Sequence, residues 1–327
     1  MKTPKQILFS LGLLALLLYP CASPGMTYSV KGTFSYQVFV LQKEGEPIKQ
    51  APLQREFEVV SDGRVWTMKI VLVGNTNFDS FIYSYDGTNF LSYSNPRVAG
   101  NKGRAMRSVS VEASPVPATI TSAGGEYLWL AFASGHYFKG LTNNCALSFE
   151  RLRSPYGFVQ RRYEVPCLFE LSSVPPYLPA AIEYVTTNQS VLIGDDGSLK
   201  VVPLPAAFGN NGYTSAEFKS VGFTNCQGLE IPTGFEYRKY ILRPSAKTPD
   251  DAICTVIVRG EVTSVSVNQQ EVDCALPSGM LMISDLRVPD RNVLYPIDDG
   301  VIPAIDSPAV KGARMQRSAA DFKRPQN

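Results

Sequence analysis

His136 is the only histidine in the chain, and it lies between Ser134-Gly135 and Tyr137-Phe138. A Ser-His-Asp triad or a His-assisted cysteine needs imidazole as its base, so either chemistry would have to run through this one residue. No G-x-S-x-G turn accompanies it. Cys145, Cys167, Cys226, Cys254 and Cys274 are widely spaced and form no C-x-x-C pair, which argues against zinc. In an oxidising compartment two disulfides are expected, Cys145 with Cys167 and Cys226 with Cys254 or Cys274, and spacing does not settle the connectivity. The remaining thiol is expected to act as a small buried hydrophobe.

The chain has 29 acidic residues, enough for a carboxylate pair of the kind that hydrolyses glycosides. Several of them, Asp62, Asp86, Asp196 and Asp299, stand next to or near glycine, where a turn accounts for them. Asp250-Asp251 and Asp298-Asp299 lack the alternating oxygen ligands of a calcium loop. Gly100-Asn101-Lys102-Gly103-Arg104 lacks the lysine-serine or lysine-threonine end of a phosphate-binding loop and reads as a basic loop. Asn188-Gln189-Ser190 matches a glycosylation acceptor only formally. These residues nominate no catalytic, ligand-binding or metal site, and no cofactor is expected.

At the N-terminus Lys2 and Lys5 precede an apolar run over residues 7–18, followed by Ala22, Ser23 and Gly25. Residues 1–25 therefore read as a signal peptide cut before Met26, and the mature chain is expected in the periplasm or outside the cell. Leu18-Tyr19-Pro20-Cys21 offers a second reading, a lipobox with Cys21 as the lipid anchor. No later stretch approaches the length of a membrane-spanning helix, so no transmembrane span is expected in the mature chain. Lysine plus arginine, 31, nearly cancel the 29 acids, and this balance argues against a nucleic-acid partner.

The elements that would have to position a site are strands. Valine, tyrosine, phenylalanine and threonine are frequent, while 24 prolines and 25 glycines break the chain into short segments. Residues 28–41 alternate through Val30, Phe34, Tyr36 and Val38, and Asp62-Gly63 and Asp86-Gly87 supply tight hairpin turns. Residues 27–95 thus predict a meander of about five antiparallel strands. Further strands are expected at 108–112, 157–163, 167–172, 191–202 with a turn at Asp196-Gly197, 214–223, 235–242 and 254–267, and a short helix at 126–134. The fold class is mainly β, a curved antiparallel sheet or incomplete barrel with few short helices. Residues 26–174 form a first unit, 175–305 a second unit or a continuation of the same sheet, and 306–327 a disordered basic tail.

Phe57-Glu58-Val59-Val60-Ser61-Asp62-Gly63-Arg64-Val65-Trp66 and Tyr85-Asp86-Gly87-Thr88-Asn89 resemble the periplasmic lipoprotein carriers and receptors of the LolA/LolB type. The resemblance implies an incomplete antiparallel barrel that holds acyl chains in an apolar cavity. A curved sheet carrying Phe34, Tyr36, Phe57, Trp66, Phe81, Tyr83, Tyr85 and Phe90 either presents such a cavity or fills a closed core. The leading expectation is a non-enzymatic envelope protein binding a lipid, a lipoprotein or a partner chain of the envelope. The alternatives are a hydrolase of envelope polysaccharide with a carboxylate pair and a purely structural or assembly protein.

Overall fold

The structure, a computed structural model, describes residues 27–40, 46–62, 65–73, 78–96, 107–112, 165–171, 179–186, 189–193, 199–204, 206–208, 212–227, 229–242, 245–269, 271–287 and 292–322. The first strands are β1 (Thr27–Val40), β2 (Ile48–Lys49), β3 (Leu53–Ser61), β4 (Trp66–Leu72), β5 (Phe78–Tyr85), β6 (Phe90–Pro96) and β7 (Arg107–Glu112). The middle of the chain supplies β8 (Val165–Leu171), β9 (Pro179–Thr186), β10 (Gln189–Ile193), β11 (Leu199–Pro203) and β12 (Tyr213–Ser220). There follow β13 (Phe223–Cys226), β14 (Leu229–Pro232), β15 (Gly234–Ile241), β16 (Ile253–Asn268), β17 (Leu281–Asp285), β18 (Val293–Ile297) and the helix α1 (Pro308–Phe322). The expected strand at 157–163, the expected helix at 126–134 and the signal peptide lie outside the described residues.

Fourteen strands make one sheet in the order β18-β17-β7-β6-β5-β4-β3-β1-β16-β15-β12-β9-β8, with β2 paired to β1. The sheet curves without closing into a barrel. The meander expected at 27–95 is present, and its turns use the expected chemistry. Asp62 Oδ1 accepts the Val65 amide at 2.8 Å, and Asp86 Oδ1 accepts those of Thr88 and Asn89 at 2.8 and 2.6 Å. Gly87 has a φ of 95°, a backbone conformation that glycine adopts without strain. β1 pairs antiparallel with β3 on one side and β16 on the other, so strands from both halves of the chain share one sheet. One neighbour pair, β7 with β17, is parallel. Residues 269–280, which link β16 to β17, must pass seven strand positions, roughly 34 Å at about 4.8 Å each, within reach of an extended twelve-residue run.

Alternation assigns the faces. On the inner face Val30, Phe34, Phe57, Val59, Trp66, Met68, Ile70, Phe90, Phe218, Phe235, Tyr237 and Val258 join in one buried core. Its centre is built on two glycines. Gly32 of β1 stands opposite Phe57, and Gly260 of β16 stands opposite Phe235. A Cβ at Gly260 would strike the Phe235 ring, and one at Gly32 would strike both the Phe57 ring and the Glu261 carbonyl. Phe57 and Phe235 lie three strands apart, roughly 14 Å in a flat sheet. Each ring leans over its glycine, and the ring centroids come within 6.4 Å, with Phe34 at 6.1 and 6.4 Å from them. Register shifts in the β1–β16, β15–β16, β12–β9, β8–β9 and β5–β6 ladders add bend and twist.

At β6 the two faces carry different cores. Phe90 points into the inner core, while its neighbour Leu91 joins Val109, Val111, Leu281, Ile283, Val293, Tyr295 and Val310 on the other face. Val310 belongs to α1, so residues 308–322 are helical where a disordered basic tail was expected at 306–327, and residues 323–327 lie outside the described residues. Ser307 precedes Pro308 at the first helical position, a favourable start, and the Val310 amide reaches Ser307 Oγ at 3.4 Å. Val310 and the partly buried Ala313 pack the first turns onto the second core, which gives the helix an apolar anchor. Arg314, Met315 and Gln316 are all exposed beyond that anchor.

A buried ion pair locks this end of the sheet. Arg287 holds Asp285 through Nε at 2.9 Å and Nη2 at 2.7 Å, and also donates to Asn89 Oδ1 at 3.0 Å and the Pro303 carbonyl at 2.8 Å. The Tyr295 hydroxyl donates to Asp285 Oδ2 at 2.7 Å, and burial followed by that carboxylate pushes the phenol up. One guanidinium thus ties β17, β18, the β5–β6 turn and the segment leading to α1.

Gly260→Ala should destabilise the fold by about 1–3 kcal/mol through overpacking, and Phe235→Leu in the same chain should recover part of the loss, read from urea unfolding midpoints. Arg287→Met should cost about 3–5 kcal/mol because Asp285 stays buried without its partner. Adding Asp285→Leu should restore stability; if the double variant is as unstable as the single one, the loss comes from packing and not from the stranded charge.

Candidate functional site

The inner face is the surface on which the apolar side chains of the first core converge. Cross-strand registry stacks Trp66 against Tyr85, Met68 against Tyr83 and Ile70 against Phe81. The Trp66 and Phe90 rings lie 5.9 Å apart, and those of Tyr83 and Phe90 stack at 6.3 Å. Of the aromatics singled out from the sequence, Phe34, Phe57, Trp66 and Phe90 are buried, whereas Tyr36, Phe81, Tyr83 and Tyr85 are partly buried against the same core. Trp66 is fully buried, and among the described residues its indole Nε1–H has no hydrogen-bond acceptor. A buried donor left unpaired costs about 1–3 kcal/mol, so this one calls for an explanation.

Burial falls steadily along β1. Val30 and Phe34 are sealed, Tyr36 and Val38 are half-buried, and Val40 is 46% exposed. Val40 stands opposite Ile48 of β2, 47% exposed, and Tyr36 stands opposite Leu53 of β3, 56% exposed. The apolar face therefore runs about 40 Å, at about 3.3 Å per residue, from an exposed end at Val40, Ile48 and Leu53 to the end of the sheet that holds Trp66.

Two cations share this face, and the sequence reading passed over both. Arg55 falls in the inward phase of Leu53, Arg55, Phe57 and Val59, and its guanidinium carbon lies 5.9 Å from the Phe34 ring centre and 5.1 Å from that of Tyr36. Lys239 falls in the inward phase of Phe235, Tyr237 and Lys239, opposite Val256. A charge in the apolar phase of an alternating strand is the signal that would have found them.

The outer face is polar and internally paired. Glu236 takes Arg259 Nε at 2.6 Å and is also gripped by Arg238, Glu217 Oε1 accepts the Tyr240 hydroxyl at 2.6 Å, and Glu183 accepts that of Thr214 at 2.5 Å. Burial pushes the Glu236 carboxyl up, but the bonds from Arg259 and Arg238 outweigh it and hold the group below the usual carboxylate range. Asp251 accepts the Lys247 and Thr248 amides, which lower it, and Asp299 accepts that of Val301. Among the described residues no group of three or more His, Cys, Asp or Glu is placed to hold a metal ion.

His136, Cys21 and Cys145 lie outside the described residues, and of Cys167 only its place in β8 is described. Cys226, Cys254 and Cys274 are free thiols, so the disulfide expected from Cys226 to Cys254 or Cys274 is not formed. They sit in three environments. Cys226 packs against the inner core from the β13–β14 hairpin, while Cys254 lies beside Tyr240, its Sγ donating to the Val256 carbonyl at 3.4 Å. Cys274 lies across the ends of β4 and β5, its Sγ reaching the Trp66 and Tyr85 carbonyls at 3.6 and 3.5 Å. Burial, then the carboxylates of Asp86, Asp273 and Asp62, push the Cys274 thiol up to about 12.

No family model and no curated protein matches the chain. Among solved structures, the chain is similar to a LolA superfamily protein from Nitrosomonas europaea at 11% identity, covering 78% of this chain and 89% of that one with a TM-score of 0.28. It is likewise similar to a DUF1329 family protein from Desulfovibrio piger, with 11% identity, the same 78% and 89% coverage and a TM-score of 0.30. The first of these bears the family name that the turn-and-tryptophan pattern at 57–66 and 85–89 resembles.

Because the neutral thiol is favoured up to about pH 12, folded Cys274 should alkylate at pH 8 at least a hundredfold more slowly than in denaturant, as thiolate fraction sets the rate. Mass spectrometry after iodoacetamide in urea without reductant should find Cys226, Cys254 and Cys274 all labelled. An unlabelled pair would mean a disulfide.

Proposed function

We propose that this chain is an exported, non-enzymatic binding protein that holds an acyl chain of a lipid or lipoprotein along the inner face of its open sheet. One observation carries this reading. A single apolar face runs from the exposed side chains of Val40, Ile48 and Leu53 to Trp66, whose buried indole N–H lacks an acceptor among the described residues. An ester or amide carbonyl on an otherwise apolar ligand would satisfy that donor, and the aromatic walls suit its methylene groups. The signal peptide expected at residues 1–25 accords with work outside the cytoplasm.

The test is saturable binding of two probes to the mature chain. Diphenylhexatriene, which has no hydrogen-bond acceptor, should bind and fluoresce, and an acyl ester probe should bind at the same site. Trp66→Phe should weaken the ester by about fivefold, the worth of one net hydrogen bond, beyond any change it causes for diphenylhexatriene. Absence of saturable binding of either probe would overturn the proposal.

A further inference from the structure

Resting on the acyl-binding reading, we infer that the β13–β14 hairpin is a hinged flap that opens to admit the acyl chain to the inner face. Trp66 is fully buried, so a ligand that reaches its indole N–H has to displace part of what covers the face. The large sheet is fixed by its ladders, whereas β13 and β14 pair with one another as a separate two-stranded sheet inserted between β12 and β15. Ile231 of β14, 1% exposed, is a member of the first core. Every other buried member described there belongs to the fourteen-stranded sheet. Cys226 of β13 packs against the same core, as do Val262 and Val265 of β16. A two-stranded hairpin is marginal by itself, so this one is held shut by the seat of Ile231.

The base of the hairpin has the parts of a hinge. The β12–β15 ladder runs as far as Ser220 opposite Phe235, and the chain bends beyond it at 221–222 and 233–234. There the Val221 amide donates to the Gly234 carbonyl at 2.8 Å, and the Thr233 amide donates to the Gly222 carbonyl at 3.1 Å. The Thr233 hydroxyl also donates to the Val221 carbonyl at 2.8 Å, which joins the two arms. Gly222 has a φ of 79°, and a Cβ on it would lie 2.8 Å from Thr233 Oγ1. Val221, Gly222 and Thr233 are exposed, so a bend there disturbs little packing. The Val262 amide, donating to the Thr233 carbonyl at 2.9 Å, ties the base to β16. Opening therefore takes Ile231 out of the core and breaks the Val262 bond, while the hairpin's own ladder and the large sheet stay intact.

Two measurements on the mature chain read this opening without a ligand: amide exchange at Val262 by NMR and iodoacetamide alkylation at each cysteine by mass spectrometry. Ile231→Ala should speed Val262 exchange by about thirtyfold or more, the low end of what truncating a buried isoleucine does to an equilibrium. It should also speed alkylation of Cys226. Cys274, held against the Trp66 and Tyr85 carbonyls, should stay slow and so report that the sheet remains folded. Gly222→Ala strains the closed hinge at its other end and should act in the same direction. Association of diphenylhexatriene, followed by stopped flow, should be faster in both variants. If Val262 exchange and Cys226 alkylation require the same unfolding that exposes Cys274, the hairpin moves only with the whole sheet and the inference is overturned. Faster opening with unchanged probe association would also overturn it, leaving the acyl-binding reading standing with entry from the Val40, Ile48 and Leu53 end. If diphenylhexatriene does not bind the unaltered chain, the acyl-binding reading and the flap's task fall together.

Discussion

Two phenylalanine rings lying over two glycines hold the middle of this protein together. Phe57 covers Gly32 and Phe235 covers Gly260, and only the missing Cβ atoms let the rings lie against the backbone of the neighbouring strands. Glycine inside a strand is ordinarily a weak point, since it packs nothing and gains backbone freedom on unfolding. Here the ring supplies the lost packing and shields the exposed backbone. The arrangement also sets the shape, because β1 and β16 can bend at these positions and bring strands on either side towards one another. Phe34 and Phe218 complete the cluster, with Phe218 6.2 Å from Phe235.

From that centre the sheet divides its labour by face. The inner face is apolar and aromatic, and the outer face of β12, β15 and β16 is a ladder of ion pairs between side chains in register. Such exposed pairs contribute little stability each, but they keep a broad face soluble. Towards the β18 edge the pattern reverses, and the second core lies on the face opposite the first, covered by α1. The Asp285–Arg287–Tyr295 cluster closes that end. Each of its three side chains is hydrogen-bonded to another, a condition for a buried charge to be tolerated. Pro296 in edge strand β18 removes one backbone donor from the free edge and discourages pairing with another chain.

These constraints bear on function through polarity. The described carboxylates with assigned partners accept hydrogen bonds at turns, from side-chain hydroxyls, in ion pairs or in the buried clamp. Among the described residues, the inner face holds a buried indole N–H and, at its other end, exposed aliphatic side chains. The proposal of an acyl-binding protein is drawn from that face.

By itself the sequence determined the local parts: the export signal as an expectation, the mainly β character, the meander over residues 27–95 and its aspartate-glycine turns. These depend on the period of two and on turn chemistry, both readable within a few residues. Ser307-Pro308 was an equally local helix start, but the basic composition after it concealed the signal. The tertiary structure alone decided the rest. The Thr263 hydroxyl bonds to the Lys31 carbonyl 232 residues away, and no local pattern announces that β16 lies beside β1. Nor could spacing reveal that Cys226, Cys254 and Cys274 occupy separate environments, or that a short strand at 281–285 would add in parallel to β7. Arg55 shows the boundary between the two kinds of information. Its phase in the strand is written in the sequence, but that its guanidinium rests against Phe34 and Tyr36, where burial gives way to exposure, follows only once the strands have paired and the face has been covered.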